Sequence, residues 1–221
     1  MNAFLSWLLD LLFPPKCMLC GKLMPDAGRM VCEKCGYDLP EWEGVPRKIK
    51  GYDACSAPFF YEEPIRSAIL RFKFHGMQSY AKQFAVWMAS RAGEELKGKY
   101  DLVTWVPCSR RRRWERGFDQ SELLARALAR ELGAEVCPLL QKHRHNRKQS
   151  KIKGAARRRA NVQGVYRPLA PGEIRNRRIL VVDDIVTTGA TMEECGKVLL
   201  LHGASQLVCA AIAIARSDQK K

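Results

Sequence analysis

Several features that would assign a class at a glance are missing from this chain. No apolar run is long enough to cross a bilayer, and there is no low-complexity tract. No Gly-Lys-Ser/Thr follows a glycine turn, which excludes a Walker-type nucleotide loop. Histidine is scarce, four in 221 residues, and neither a histidine nor a carboxylate stands out as a general base. The apolar start, Met1 to Phe13, lacks a basic opening, contains Asp10 and soon meets Pro14-Pro15, so it does not read as a signal peptide. With nothing directing secretion, the protein is expected to be cytoplasmic. Ala3, Trp7 and Leu11 recur at helical spacing beside Phe4, Leu8 and Leu12. An amphipathic helix docked on the protein is expected there, with membrane-surface or partner binding as the alternative.

A chain of 221 residues can bury one good core and carry a small appended module. Its net charge of +15 is concentrated. Arg110 to Arg116 contributes +4 and Lys142 to Arg159 contributes +9, with no acid in the second stretch. Stretches that gather charge in this way suit polyanions such as pyrophosphate, nucleotides or nucleic acid.

Nine cysteines are present, and four fall into two pairs, Cys17-Met-Leu-Cys20-Gly and Cys32-Glu-Lys-Cys35-Gly. Each Cys-x2-Cys turn brings two thiolates to one side, and the glycine permits the tight turn. Cys17, Cys20, Cys32 and Cys35 thus form a tetrahedral S₄ set for structural zinc, with redox dithiols or plain buried cysteines as the alternatives. Cys55, Cys108, Cys137, Cys195 and Cys209 read as small buried hydrophobes. Cys108 adjoins the arginine run, which is expected to lower its pKa.

The densest chemistry lies in Val182-Asp183-Asp184-Ile185-Val186-Thr187-Thr188-Gly189-Ala190-Thr191. Ile179 to Val182 is a β-branched, apolar run of the kind that makes a buried parallel strand. Asp183 and Asp184 are expected at its end, and a helix is expected from about Thr191 to Leu201. Backbone N–H groups at such a turn, three threonine hydroxyls and the positive end of the helix dipole make a phosphate cradle. Gly189 is expected to clear space for close approach. The acid pair repels phosphate and should instead meet sugar hydroxyls or Mg²⁺. A capped helix after a buried strand is the plainer alternative, but one cap would suffice for that.

Elsewhere the pattern predicts extended chain over 52–61, helices over 64–74 and 79–95, a strand over 102–106 and a basic loop over 107–117. A helix over about 118–132 stopped by Gly133, and strands at 136–140 and 207–215, complete the reading. Alternation of strands and helices from about residue 100 onward argues for an α/β, doubly wound parallel sheet. Three regions follow: 1–45, helix and zinc ribbon; 46–99, a connecting region packed on the core; and 100–221, the main α/β domain. Ligands in such sheets bind at the carboxyl ends of strands, so the loop after Val106 should neighbour the acid pair. Ser109 and Arg110 belong to that loop. Arg116, at an Arg-Gly pair before a helix, can point into the same cleft, whereas Arg111 to Arg113 read as solvated.

The acid pair and its threonine turn resemble the phosphoribosyl pyrophosphate (PRPP) motif of type I phosphoribosyltransferases. That resemblance implies ribose contacts from Asp183 and Asp184 and 5′-phosphate contacts from Thr187, Thr188, Gly189, Ala190 and Thr191. It implies pyrophosphate contacts from Ser109, Arg110 and Arg116, with Mg²⁺ accompanying PRPP, and gives Lys142 to Arg159 the position of a mobile catalytic loop. The whole order is closer to one subgroup. Phe13-Pro-Pro-Lys-Cys, the ribbon, Tyr61-Glu-Glu-Pro-Ile-Arg, Leu70-Arg-Phe-Lys-Phe, Arg116-Gly-Phe-Asp-Gln-Ser, Gln149, Arg158-Arg-Ala-Asn161 and the PRPP-type turn together resemble the ComF family. Its members join a zinc ribbon to a phosphoribosyltransferase-like domain and are associated with competence, DNA uptake and recombination. The family's usual Arg-Gly-Phe-Asn-Gln reads Arg-Gly-Phe-Asp-Gln here.

Three functions compete. One is ribosyl-phosphate transfer from PRPP with release of pyrophosphate. Another is PRPP or nucleotide sensing without turnover. The third is a DNA-handling adaptor whose basic residues, Lys151, Lys153 and Arg157 among them, hold single-stranded DNA beside a helicase-type partner. Stacking on single strands needs aromatics among the basic residues, and these two stretches contain only Trp114.

Overall fold

The computed structural model describes residues 14–25, 28–44, 48–143 and 164–216. The apolar start and the basic stretch that includes Gln149, Lys151, Lys153, Arg157 and Asn161 lie outside the described residues.

Nine-residue strands at Arg178–Val186 (β7) and Gln206–Ile214 (β8) make the centre of the sheet. β7 pairs in parallel with β8 on one side and with β3 (Leu102–Trp105) on the other. β4 (Glu135–Val136) closes the edge beyond β3, and β1 (Ala54–Ser56) and β2 (Phe59–Phe60) share the edge beyond β8. Ala57 and Pro58 separate those two short strands. All six strands run parallel, which demands a covered face on each side.

Side-chain alternation along β7 shows that cover. Leu180 and Val182 join Phe72, Phe84, Leu124 and Leu128 in one apolar cluster. Ile179 and Val181 join Met192, Cys195 and Leu199 in another. The first face is roofed by α2 (Ile65–Phe74), α3 (Tyr80–Glu95) and α5 (Gln120–Leu132), the second by α6 (Ala190–Leu201). α6 passes so close to Tyr52 that a Cβ on Gly196 would sit 2.8 Å from its ring. The zinc ribbon, with its short helix α1 (Glu33–Tyr37), docks on the first cluster through Met18 and Leu19, both buried.

Three expectations are corrected. The stretch 107–117 is not a loop throughout: α4 spans Arg110–Arg116. Ser109 caps its start, Arg111 pairs with Glu115 at 2.8 Å, and Gly117 ends it in the left-handed region. Arginine is a good helix former, and these local bonds outweigh repulsion along the run. The single strand at 136–140 is instead the end of β4 followed by β5 (Leu140–Lys142), which pairs antiparallel with β6 (Tyr166–Pro168). Pro138 lacks the N–H a continuous strand needs there. Finally, Asp183 and Asp184 are inside β7, whose pairing with β8 continues to Val186.

Candidate functional site

From β3 the chain leaves outward through α4 and α5 to β4, then returns to β7 on the other side of β3. Strand order reverses between β3 and β7, so their carboxyl ends flank a crevice. Val106 donates its N–H to the Val182 carbonyl at 2.9 Å, which sets Pro107 and Cys108 beside the acid pair.

The two carboxylates leave opposite faces of β7 and meet different partners. Asp183 accepts a hydrogen bond from Ser121 Oγ at 3.0 Å and another from the Asp184 N–H at 2.9 Å. Burial, and then the charge of Asp184, push its pKa up to about 7, against the pull of Lys73. Asp184 is buried and pairs with Lys73 Nζ of α2 at 2.8 Å. Nothing local in the sequence signals that Lys73 and Ser121 reach the acid pair, although they stand in Leu70-Arg-Phe-Lys-Phe and Arg116-Gly-Phe-Asp-Gln-Ser.

Beyond Val186, Thr187, Thr188, Gly189, Ala190 and Thr191 line a small cleft with Asp183. Gly189 is the N-cap of α6, with φ +80°. Its left-handed φ is one that L side chains rarely adopt, and a Cβ there would touch Ile49 at an ordinary 3.5 Å. Thr188 Oγ1 accepts weakly from the Ala190 N–H at 3.4 Å. Among the described residues, the amides of Thr191 and Met192 have no acceptor, leaving the start of α6 open to an anion.

Across the crevice, Asp119 is buried and binds three backbone N–H groups. They belong to Cys108 at 2.7 Å, Ser121 at 3.1 Å and Glu122 at 3.3 Å. Burial raises its pKa against those bonds. Its carboxylate therefore pins the loop after β3 to the start of α5. Ser109 is buried as the cap of α4, and Arg110 begins that helix at the surface. Arg116 lies over the Phe74 ring at 4.8 Å and donates to Gln120 Oε1 at 2.5 Å. Cys108 departs from expectation: burial, then the nearby Asp119, push its thiol up to about 12, overriding Arg116 and Arg113.

The four ribbon cysteines converge, with all their sulfurs within 4.8 Å of one another. A Zn–S bond of about 2.3 Å implies a tetrahedral S–S edge of about 3.8 Å, and Cys20 and Cys32 Sγ lie 3.8 Å apart. Burial would raise the Cys17 thiol, but N–H bonds from Cys20, Cys32 and Leu19 bring it down to about 6. Burial, then its Cys32 and Cys20 neighbours, push the Cys35 thiol the other way, up to about 12, so the fit to zinc rests on the convergence of the four sulfurs. The set fits the metal, and with four protein ligands its role is structural. Arg71 of α2 donates to the carbonyls of Met18 at 2.9 Å and Leu19 at 2.6 Å within the first turn.

Residues 119–221 match the phosphoribosyl transferase domain family, and residues 8–47 match the double zinc ribbon domain family. The chain is 31% identical over 198 residues to the DNA utilization protein YhgH of Salmonella typhimurium, covering 86% of this chain and 79% of that one. It is 27% identical over 200 residues to Competence protein F of Haemophilus influenzae, covering 87% and 82%. Glutamine phosphoribosylpyrophosphate amidotransferase from B. subtilis overlays with a TM-score of 0.44 at 20% identity. That overlay covers 64% of this chain and 30% of the amidotransferase, so it spans under a third of that protein. The α/β sheet is thus a phosphoribosyltransferase-type domain carrying an N-terminal zinc ribbon. Among the described residues, no helix is long and apolar enough to cross a membrane.

Proposed function

The chain belongs to the ComF family, and from that premise we propose that it is a PRPP-binding, phosphoribosyltransferase-like protein of DNA uptake or recombination. The observation that carries this reading is the placement of Asp183 and Asp184 at a strand-order switch, next to the open start of α6. In this reading the acid pair accepts the ribose hydroxyls. The amides and hydroxyls of Thr187 to Thr191 take the 5′-phosphate, and Ser109, Arg110 and Arg116 serve the pyrophosphate.

Among the described residues, no carboxylate or histidine is placed as an evident base, which suits transfer through an oxocarbenium-like sugar stabilised by fixed charge. Mg²⁺, bound mainly by the substrate's phosphates, would supply charge neutralisation for the leaving group. This chain's residues orient the sugar between the two loops. The test is calorimetric titration of PRPP with Mg²⁺. Binding should be lost in Asp183→Asn/Asp184→Asn with the fold retained, and unchanged affinity would sink the assignment. Release of pyrophosphate, screened against bases and nucleic acids, separates turnover from sensing.

A second, compatible reading is a single-stranded DNA adaptor. Trp114 of α4 is 87% exposed among arginines, and Phe74, 53% exposed, lies beneath Arg116. Exposed aromatics among cations are what base stacking uses. Trp114→Ala and charge reversal of Lys151, Lys153 and Arg157 should each weaken DNA binding, the second with a shallower salt dependence.

A further inference from the structure

We propose that the groove between residues 48–53 and α6 binds a phosphate ester of nucleotide size, held by Lys48, Lys50 and Lys197. The cavity there measures about 740 Å³, within the range of small-ligand sites. It shares no lining residue with the cleft of Asp183 and Thr187 to Thr191. Ile49 of the groove packs beside Gly189 of that cleft, so the two sites are neighbours without overlapping. The groove does not depend on the PRPP reading.

Both walls are fixed in place. The Tyr52 N–H donates to the Ile49 carbonyl at 3.0 Å, closing a turn whose third residue, Gly51, has φ +87°. A type II turn requires a positive φ at that position. The Tyr52 hydroxyl donates to the Met192 carbonyl of α6 at 3.0 Å, and the Asp53 N–H to the Leu207 carbonyl of β8 at 2.9 Å. Lys48 and Lys50 flank the buried Ile49 and are exposed along the groove. Among the described residues, neither has an ion-pair partner. Lys197 comes from the other wall, one helical turn after Glu193. It meets Glu194 only at 3.5 Å, and Glu194 already accepts the Gly164 N–H at 2.6 Å.

The charges select the ligand. Three ammonium groups from two walls suit a phosphate, which lysine meets as a point charge. Asp53 and Glu193 line the same groove, and Asp53 accepts from the Gln206 amide at 2.8 Å. Two carboxylates repel a nucleic-acid strand, which carries a charge at every nucleotide. They accept hydrogen bonds well from the hydroxyls or amino group of a compact ligand. A single nucleotide joins both kinds of group within the volume of the groove.

ADP is titrated calorimetrically, at one ionic strength, into full-length Asp183→Asn/Asp184→Asn and into the same protein carrying Lys48→Gln, Lys50→Gln and Lys197→Gln. ADP should bind the first and lose roughly 10- to 100-fold in affinity in the second, since three exposed ion pairs each contribute up to about fivefold. The lysines are exposed, so their substitution should leave the thermal midpoint unchanged. Absent ADP binding, or equal affinity with and without the lysines, overturns the groove. A short oligothymidylate is titrated beside ADP. If the lysine substitutions weaken its binding and leave that of ADP unchanged, the face belongs to a nucleic-acid strand and the proposal is overturned. In the otherwise wild-type protein the lysine substitutions should leave PRPP affinity intact. If PRPP fails to bind the wild type, the reading of the acid pair is refuted while the ADP titration still judges the groove.

Discussion

Lys73 Nζ lies 2.8 Å from Asp184 Oδ1, and the two side chains are 16% and 7% exposed. The pair joins α2 to the middle of the sheet at the acid pair. Two residues earlier on the same helix, Arg71 holds the carbonyls of Met18 and Leu19 in the first cysteine turn. One short helix therefore touches the zinc ribbon and the crevice.

Breaking the pair on one side should be expensive. Lys73→Met leaves Asp184 charged and buried, and is expected to cost about 3–5 kcal/mol of stability. The double variant Lys73→Met/Asp184→Asn should recover a large part. Urea unfolding of the four proteins measures the coupling, and additive losses would show that the contact contributes nothing of its own.

Asp183 gives the stability a pH slope. Its folded pKa, near 7, is above that of an unfolded aspartate, so the folded state binds the extra proton between about pH 4 and 7. Stability from this group is present below pH 4 and lost as pH rises towards 7. Asp183→Asn removes the penalty, so the unliganded variant should match or exceed wild type at pH 8 and lose that advantage near pH 4. Thermal midpoints across this range test the sign, and a wild-type curve that rises with pH relative to the variant would contradict it.

Zinc should be present at about one per chain by the four-ligand rule. Chelation should lower the thermal midpoint, and Arg71→Ala should produce part of the same loss without altering metal content. Because α2 also carries Lys73, metal removal is expected to weaken binding at the acid pair, read by calorimetry with ribose 5-phosphate. A metal-free protein of equal stability would refute the ribbon.

Asp119 holds three backbone N–H groups from two segments. Asp119→Ala should cost about 2–4 kcal/mol, combining a lost cap with a stranded amide. Asp119→Asn should cost less, since one oxygen still accepts from Ser121 and Glu122 while the Cys108 amide loses its acceptor. Chemical unfolding of both variants ranks the two effects.

Motifs with short sequence reach were legible in the chain. Four cysteines at paired spacing define a ribbon because the ligands of each turn lie within a few residues. The apolar run Ile179 to Val182, the acid pair and the turn to α6 could be placed in order for the same reason. Where the reading failed, the cause was local bonding in one case and tertiary burial in the other. The arginine run looked like a solvated loop, yet capping by Ser109 and pairing with Glu115 made it α4. Cys108 looked activated by its arginines, yet burial beside Asp119 raised its pKa.

By itself the sequence determined the family, the zinc ligands, the alternation of strands and helices, and the identity of the acid pair and its turn. These depend on residue type at fixed local spacing, which one chain displays directly. Tertiary structure alone decided which charges meet. Lys73 reaches Asp184 across 111 positions and Ser121 reaches Asp183 across 62. Burial sets the worth of a charge, and burial is a property of the packed sheet and its helices, with no local signature in the sequence.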